Sequence, residues 1–172
     1  MNADALIDSL AGFPATLTAA MHGMADADIR WKPASNQWSI LEIVRHLGDE
    51  EIDDFRRRLF LTLEHPKEAW PPIDPEYWAE QRTYNQGEIG EALQAFTRER
   101  GDSIAQLRAL VSPAWSASHH HTVMGEITAG DLLAAWTAHD MLHLRQIAKR
   151  KYQLIRRHAG EYRTGYAGEW KE

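Results

Sequence analysis

At 172 residues the chain has the length of one domain with a sizeable core, and 44% hydrophobic with 26% charged residues is the balance of an ordinary globular protein. A formal charge of −6 argues against nucleic acid as a partner, because phosphate binding needs a basic face. Cysteine is absent, which excludes disulfides, a thiol nucleophile and cysteine-held zinc, so any metal has to be held by nitrogen and oxygen.

The first predicted helix runs from about Asp4 to Met24. Leu6, Leu10, Phe13, Leu17, Met21 and Met24 recur at spacings of three and four, and Pro14 is placed to bend it. Nothing in its opening, MNADALIDSLAGF, joins a basic region to an apolar block, so no secretory signal is expected. No apolar run reaches the roughly 18 residues of a membrane span. The expectation is a cytoplasmic protein.

The second helix opens at Ser39, where SILE forms a capping box: the Ser39 hydroxyl accepts from the Glu42 N–H and the Glu42 side chain reaches back. Ile40, Ile43, Val44, Leu47, Phe55 and Leu59 continue it to about Leu63. About two dozen residues with four prolines follow, EHPKEAWPPIDPEYWAEQRTYNQG. That is too long for a tight hairpin and suits a crossover along a bundle. Of its aromatics, Trp70, Tyr77, Trp78 and Tyr84 are candidates for the wall of a pocket.

The third helix covers about Glu88 to Val111 through Leu93, Phe96, Ile104, Leu107 and Leu110. From Ser112 to Thr128 a loop is expected, with His119, His120 and His121 in solvent or framing a pocket. The fourth helix runs from about Ala129 to Ile155, and a Gly- and aromatic-bearing tail packs on the bundle or on a partner. No convincing strand is read. The clusters Arg56–Arg58, Lys149–Lys151 and Arg156–Arg157 are taken as solvated helix surface. The reading is one all-α domain over 1–172, a four-helix bundle with helices at about 4–24, 39–63, 88–111 and 129–155.

Two histidines interrupt the core face of the fourth helix. Positions 132, 136, 139, 143 and 147 form one stripe, so His139 and His143 lie one turn apart on the face of Leu132, Trp136 and Ile147. The pair alone is a modest signal. His46, on the Ile43/Leu47 side of the second helix, adds a third imidazole, and Glu50 follows one turn later. Three histidines on facing apolar stripes share one simple explanation, a divalent metal. HDMLH is one methylene short of the HExxH of zinc proteases and has no strand-rich neighbourhood. A di-iron carboxylate bundle needs ExxH pairs that this chain lacks. No GxSxG elbow supports a serine nucleophile.

WSILEIVRHL, IDPEYWAEQRTYNQ, FTRERGDSIAQLRAL, GEITAGDLL and HDMLHLRQI, in that order and spacing, resemble the DinB superfamily of four-helix-bundle metalloproteins. The resemblance implies an up-down-down-up bundle and a metal held by His46, His139 and His143, with nickel or zinc first and iron or manganese as alternatives. It further implies an enzyme of thiol S-transferase or hydrolase type, acting on a small molecule through an activated water or a low-molecular-weight thiol. Glu50, Asp140 and Gln146 are the candidate catalytic or orienting residues. A non-catalytic metal-binding stress protein is the alternative. A homodimer is expected, from the family and from the aromatic crossover and tail.

Overall fold

The computed structural model describes residues 1–171, and it is mostly helical. Helix α1 (Ala3–Met21) runs unbroken past Pro14 and is followed by the short α2 (Asp26–Ile29). The second long helix is composite. An α-helical α3 (Ile40–Asp49) passes into a π-helical segment, Glu50–Arg56, and then into α4 (Arg57–Glu64). The crossover contains α5 (Pro75–Gln81), started by Pro75 in its first turn and by the Asp74 carboxylate, which accepts from the Tyr77 N–H. Helices α6 (Ile89–Ala109) and α7 (Ala129–Ala159) complete the set, α7 extending a turn beyond the expected Ile155.

Two buried clusters show how the long helices run. One holds Phe13, Leu17 and Met21 with Ile40, Ile43, Val44, Leu47, Phe96, Ile147 and Leu154. The other holds Ile7 and Leu10 with Leu59, Ile104, Leu107, Leu132, Leu133 and Trp136. Helices α1 and α7 pass from the second cluster to the first, while α3–α4 and α6 pass the opposite way. That is the up-down-down-up order. Since α1 and α3 each pack mainly on α6 and α7, the first two long helices occupy opposite corners. The long crossover is what allows α6 to run parallel to α3–α4.

Two expectations fail: the Lys149–Lys151 cluster is not all solvated surface, since Arg150 is buried and donates to the Trp38 carbonyl, and the loop after the third long helix is partly strand. Ser112–Thr128 is not all loop, because Ser118–His121 (β1) and Gly125–Thr128 (β2) pair antiparallel as a small hairpin, His119 opposite Ile127 and His120 opposite Glu126. It docks on the crossover through Trp70, whose ring stacks on His119 at 4.4 Å. His121 Nδ1 accepts from the Val123 and Met124 N–H groups, closing the turn. Four-residue strands with mostly polar side chains carry no alternation by which a sequence announces them.

The capping box at Ser39 is present as expected, and Thr128 with Asp131 forms a second at the start of α7. Ser39 is fully buried. Its hydroxyl accepts from Glu42 N at 3.1 Å and pairs with Asn85 Oδ1 at 2.7 Å. Replacing Ser39 by alanine removes the cap and leaves the Asn85 oxygen without its donor. The expected cost is about 1–2 kcal/mol in urea unfolding.

Candidate metal centre

Helices α3 and α7 bring the three histidines together. His139 and His143 share a face of α7 because four residues make about one turn. His46, 4% exposed, projects from the flank of α3 next to the Ile43/Leu47 stripe. The Nε2 atoms converge: His143 lies 3.0 Å from His139 and 3.2 Å from His46. Two ligands about 2.0–2.1 Å from a tetrahedral ion stand roughly 3.3 Å apart, so the spacing suits one ion. Among the described residues these three form the group able to hold a metal, with candidate donor atoms all within 4.8 Å of one another.

The far sides of the rings are arranged to keep Nε2 available. Gln146 Oε1 accepts from His143 Nδ1 at 2.8 Å, which leaves the neutral ring with its Nε2 lone pair facing inward. Glu50 Oε1 stands 3.7 Å from His46 Nδ1, behind the ring and away from the convergence point. Both of these atoms are buried without a hydrogen-bond partner. Two aromatics wall the cluster, Trp38 at 4.7 Å from His46 and Phe55 at 4.9 Å from His139. His46 is buried, while His139 and His143 are partly exposed.

Burial sets the electrostatics. It pushes His46 down to about 2 and His139 to about 3, the neighbouring imidazoles adding to the effect, and it lowers His143 as well. Neutral imidazole is the form that binds metal. Burial, with Asp54 alongside, pushes the Glu50 carboxyl up to about 8.

A pH dependence follows for chelator-treated protein. Above about pH 6.5 the three imidazoles are neutral whether the chain is folded or unfolded and leave stability unchanged. As pH falls below that value the unfolded chain takes up protons that the folded site refuses, and stability drops toward the folded-state values. Glu50 works in the opposite sense between its ordinary 4.5 and about 8. Burial also raises Glu51 and Asp140, which work in the same sense as Glu50 and are shared by wild type and a variant without the imidazoles. As pH falls from 6.5 to 4.5, the urea midpoint of a variant carrying glutamine at all three histidine positions is expected to rise relative to that of wild type.

Asp140, adjacent to His139 in sequence, is turned off the cluster. Its carboxylate takes a two-pronged pair from Arg100, at 2.6 and 2.9 Å. Arg100, 1% exposed, also donates from Nε to Glu51 Oε2 at 2.9 Å and to the Leu10 carbonyl at 3.0 Å. Trp136 Nε1 donates to the same Glu51 oxygen at 3.0 Å. Sequence reasoning missed this network, although a signal was present: Arg100 fills the gap between Phe96 and Ile104 in the apolar stripe of α6. Of the crossover aromatics, Tyr84 is buried and its hydroxyl bonds to Asp49, Trp78 lies under Arg82, and Tyr77 is exposed.

The site and the bundle define a class, helical proteins with a three-histidine cluster between the second and fourth long helices. The family model of the DinB superfamily matches residues 10–147, and the chain belongs to that superfamily. A curated relative, YfiT of Bacillus subtilis (strain 168), is 26% identical over 148 residues, covering 85% of this chain and 82% of its own. A solved structure of YfiT superposes with a TM-score of 0.79 at 23% identity, over 88% of this chain and 87% of that one. YfiT is described there as a probable metal-dependent hydrolase with an unusual four-helix bundle topology. Among the described residues no helix is long and apolar enough to cross a membrane.

Proposed function

We propose that the chain is a metal-dependent enzyme of hydrolase type, in which His46, His139 and His143 hold one divalent ion, nickel or zinc before iron or manganese. The observation that carries this is the convergence of three Nε2 atoms with no carboxylate among the described residues joining the group, a donor set that leaves positions free for water or substrate. The ion supplies Lewis-acid activation of a water, or of a low-molecular-weight thiol in the transferase form of the same chemistry.

The chain's own residues divide the remaining work. Gln146 fixes the tautomer of His143. Glu50 stands behind His46, its Oε1 3.7 Å from Nδ1, where it orients the ring from the side away from the ion. Asp140 is committed to Arg100 and has no part in proton transfer in this scheme. The substrate is a small molecule. The protein acts in the cytoplasm as a homodimer.

The test uses untagged protein loaded with one equivalent of nickel or zinc, assayed against esters, amides and electrophiles with and without each low-molecular-weight thiol. Turnover that is lost with chelator and in His143→Ala supports an enzyme, and dependence on a thiol selects the transferase form. Stoichiometric metal without turnover on any of them would assign the ion a structural or sensing role.

A further inference from the structure

We propose that Arg100 is a positioning residue for the three-histidine centre, setting the rotation of α7 and the placement of the π-helical segment against each other. The proposal rests on the reading that these histidines hold an ion. Arg100 lies in the middle of α6, the long helix opposite α7 that contributes no histidine to the cluster. Yet its one guanidinium touches all three other long helices: Asp140 on α7, Glu51 in the π-helical segment that continues α3, and the Leu10 carbonyl of α1.

These attachment points sit beside the ligands. Asp140 follows His139 directly and precedes His143 by three residues, and Glu51 lies five residues beyond His46 on the same continuous helix. Fixing Asp140 and Glu51 on one rigid plane therefore fixes the two ligand-bearing elements relative to one another.

A metal site needs such a device. Ligand atoms project roughly 5–6 Å from a helix axis, so a 20° rotation of α7 moves an imidazole by about 2 Å. Metal–ligand distances tolerate about 0.2 Å. The apolar contacts of Leu132, Leu133 and Ile147 are non-directional and leave such rotations soft, whereas the forked pair of Arg100 with Asp140 is directional in plane and angle. Stability alone gives no reason for the cluster, since two carboxylates and a guanidinium buried together fold no better than apolar residues of the same volume.

The test compares zinc affinity by chelator competition in Arg100→Lys, which keeps the charge and removes the fork, with that in Leu107→Ala, a core variant on the same helix. Melting curves of the zinc-free proteins show each variant folded at the assay temperature. Arg100→Lys is expected to bind zinc 10- to 100-fold more weakly than wild type, with Leu107→Ala within threefold despite its lower melting temperature. Should Arg100→Lys fail to fold, Asp140→Asn, which leaves the guanidinium on Glu51 and Leu10, carries the same comparison. A folded variant within threefold of wild type, or one that loses no more affinity than Leu107→Ala, overturns the positioning role. Wild type that binds no zinc overturns the metal reading beneath it as well.

Discussion

Trp136→Ala is expected to cost about 3–5 kcal/mol of folding stability, enough to lower the melting temperature of chelator-treated protein by about 10 °C. Trp136 is 1% exposed at the centre of the second core cluster, with Phe55 stacked at 5.9 Å on one face and the Arg100 guanidinium 5.7 Å from the ring. Truncation opens a cavity where α1, α4, α6 and α7 meet. It also removes a donor from a buried carboxylate, since Glu51 Oε1 already has no hydrogen-bond partner and Oε2 would keep only Arg100. Calorimetry showing a shift below about 2 °C would mean that Trp136 does not hold these helices together. Trp136→Phe keeps most of the ring volume and isolates the lost hydrogen bond, at about 1–2 kcal/mol.

The largest expected effect on binding is in the histidines themselves. His46→Ala, His139→Ala and His143→Ala should each lower metal affinity by orders of magnitude, because two imidazoles cannot replace three and the cross-link between α3 and α7 is lost. The triple substitution of His119, His120 and His121 should change it little. Those rings lie in the hairpin, with His119 on Trp70, His120 bonded to Glu126 and His121 bonded to the turn. The two sets also separate in heat: bound metal raises the melting temperature only where the affinity survives. Loss of metal from the hairpin variant with retention in His139→Ala would place the site elsewhere.

What the sequence made legible was whatever repeats at a local period. The spacing of four between His139 and His143, and the stripe from Leu132 to Ile147, placed two imidazoles on one helical face before any fold was known. SILE announced the start of α3 because a capping box is a contact three residues long. The two dozen residues with four prolines between the second and third helices excluded a tight hairpin and suited a crossover, and the up-down-down-up order came from the family resemblance. The features that escaped depend on which elements meet. Arg100 was visible as a gap in the stripe of α6, but its partners come from three other helices, and no spacing in one helix names them. Asp140 was placed one residue around from His139, while its direction is set by a guanidinium forty positions away. The π-helical segment that buries Glu50, Glu51 and Asp54 on one side of the second helix follows from packing and not from propensity. The β hairpin is built from residues that the sequence presents as polar loop.

The most direct test of the account is X-ray absorption at the metal edge of untagged protein loaded with one equivalent of zinc. Three imidazole nitrogens at about 2.0–2.1 Å are expected, falling to two in His46→Ala and staying at three when His119, His120 and His121 are all replaced. A spectrum dominated by carboxylate oxygen, or an imidazole count that His46→Ala leaves unchanged and the hairpin substitution lowers, would contradict it.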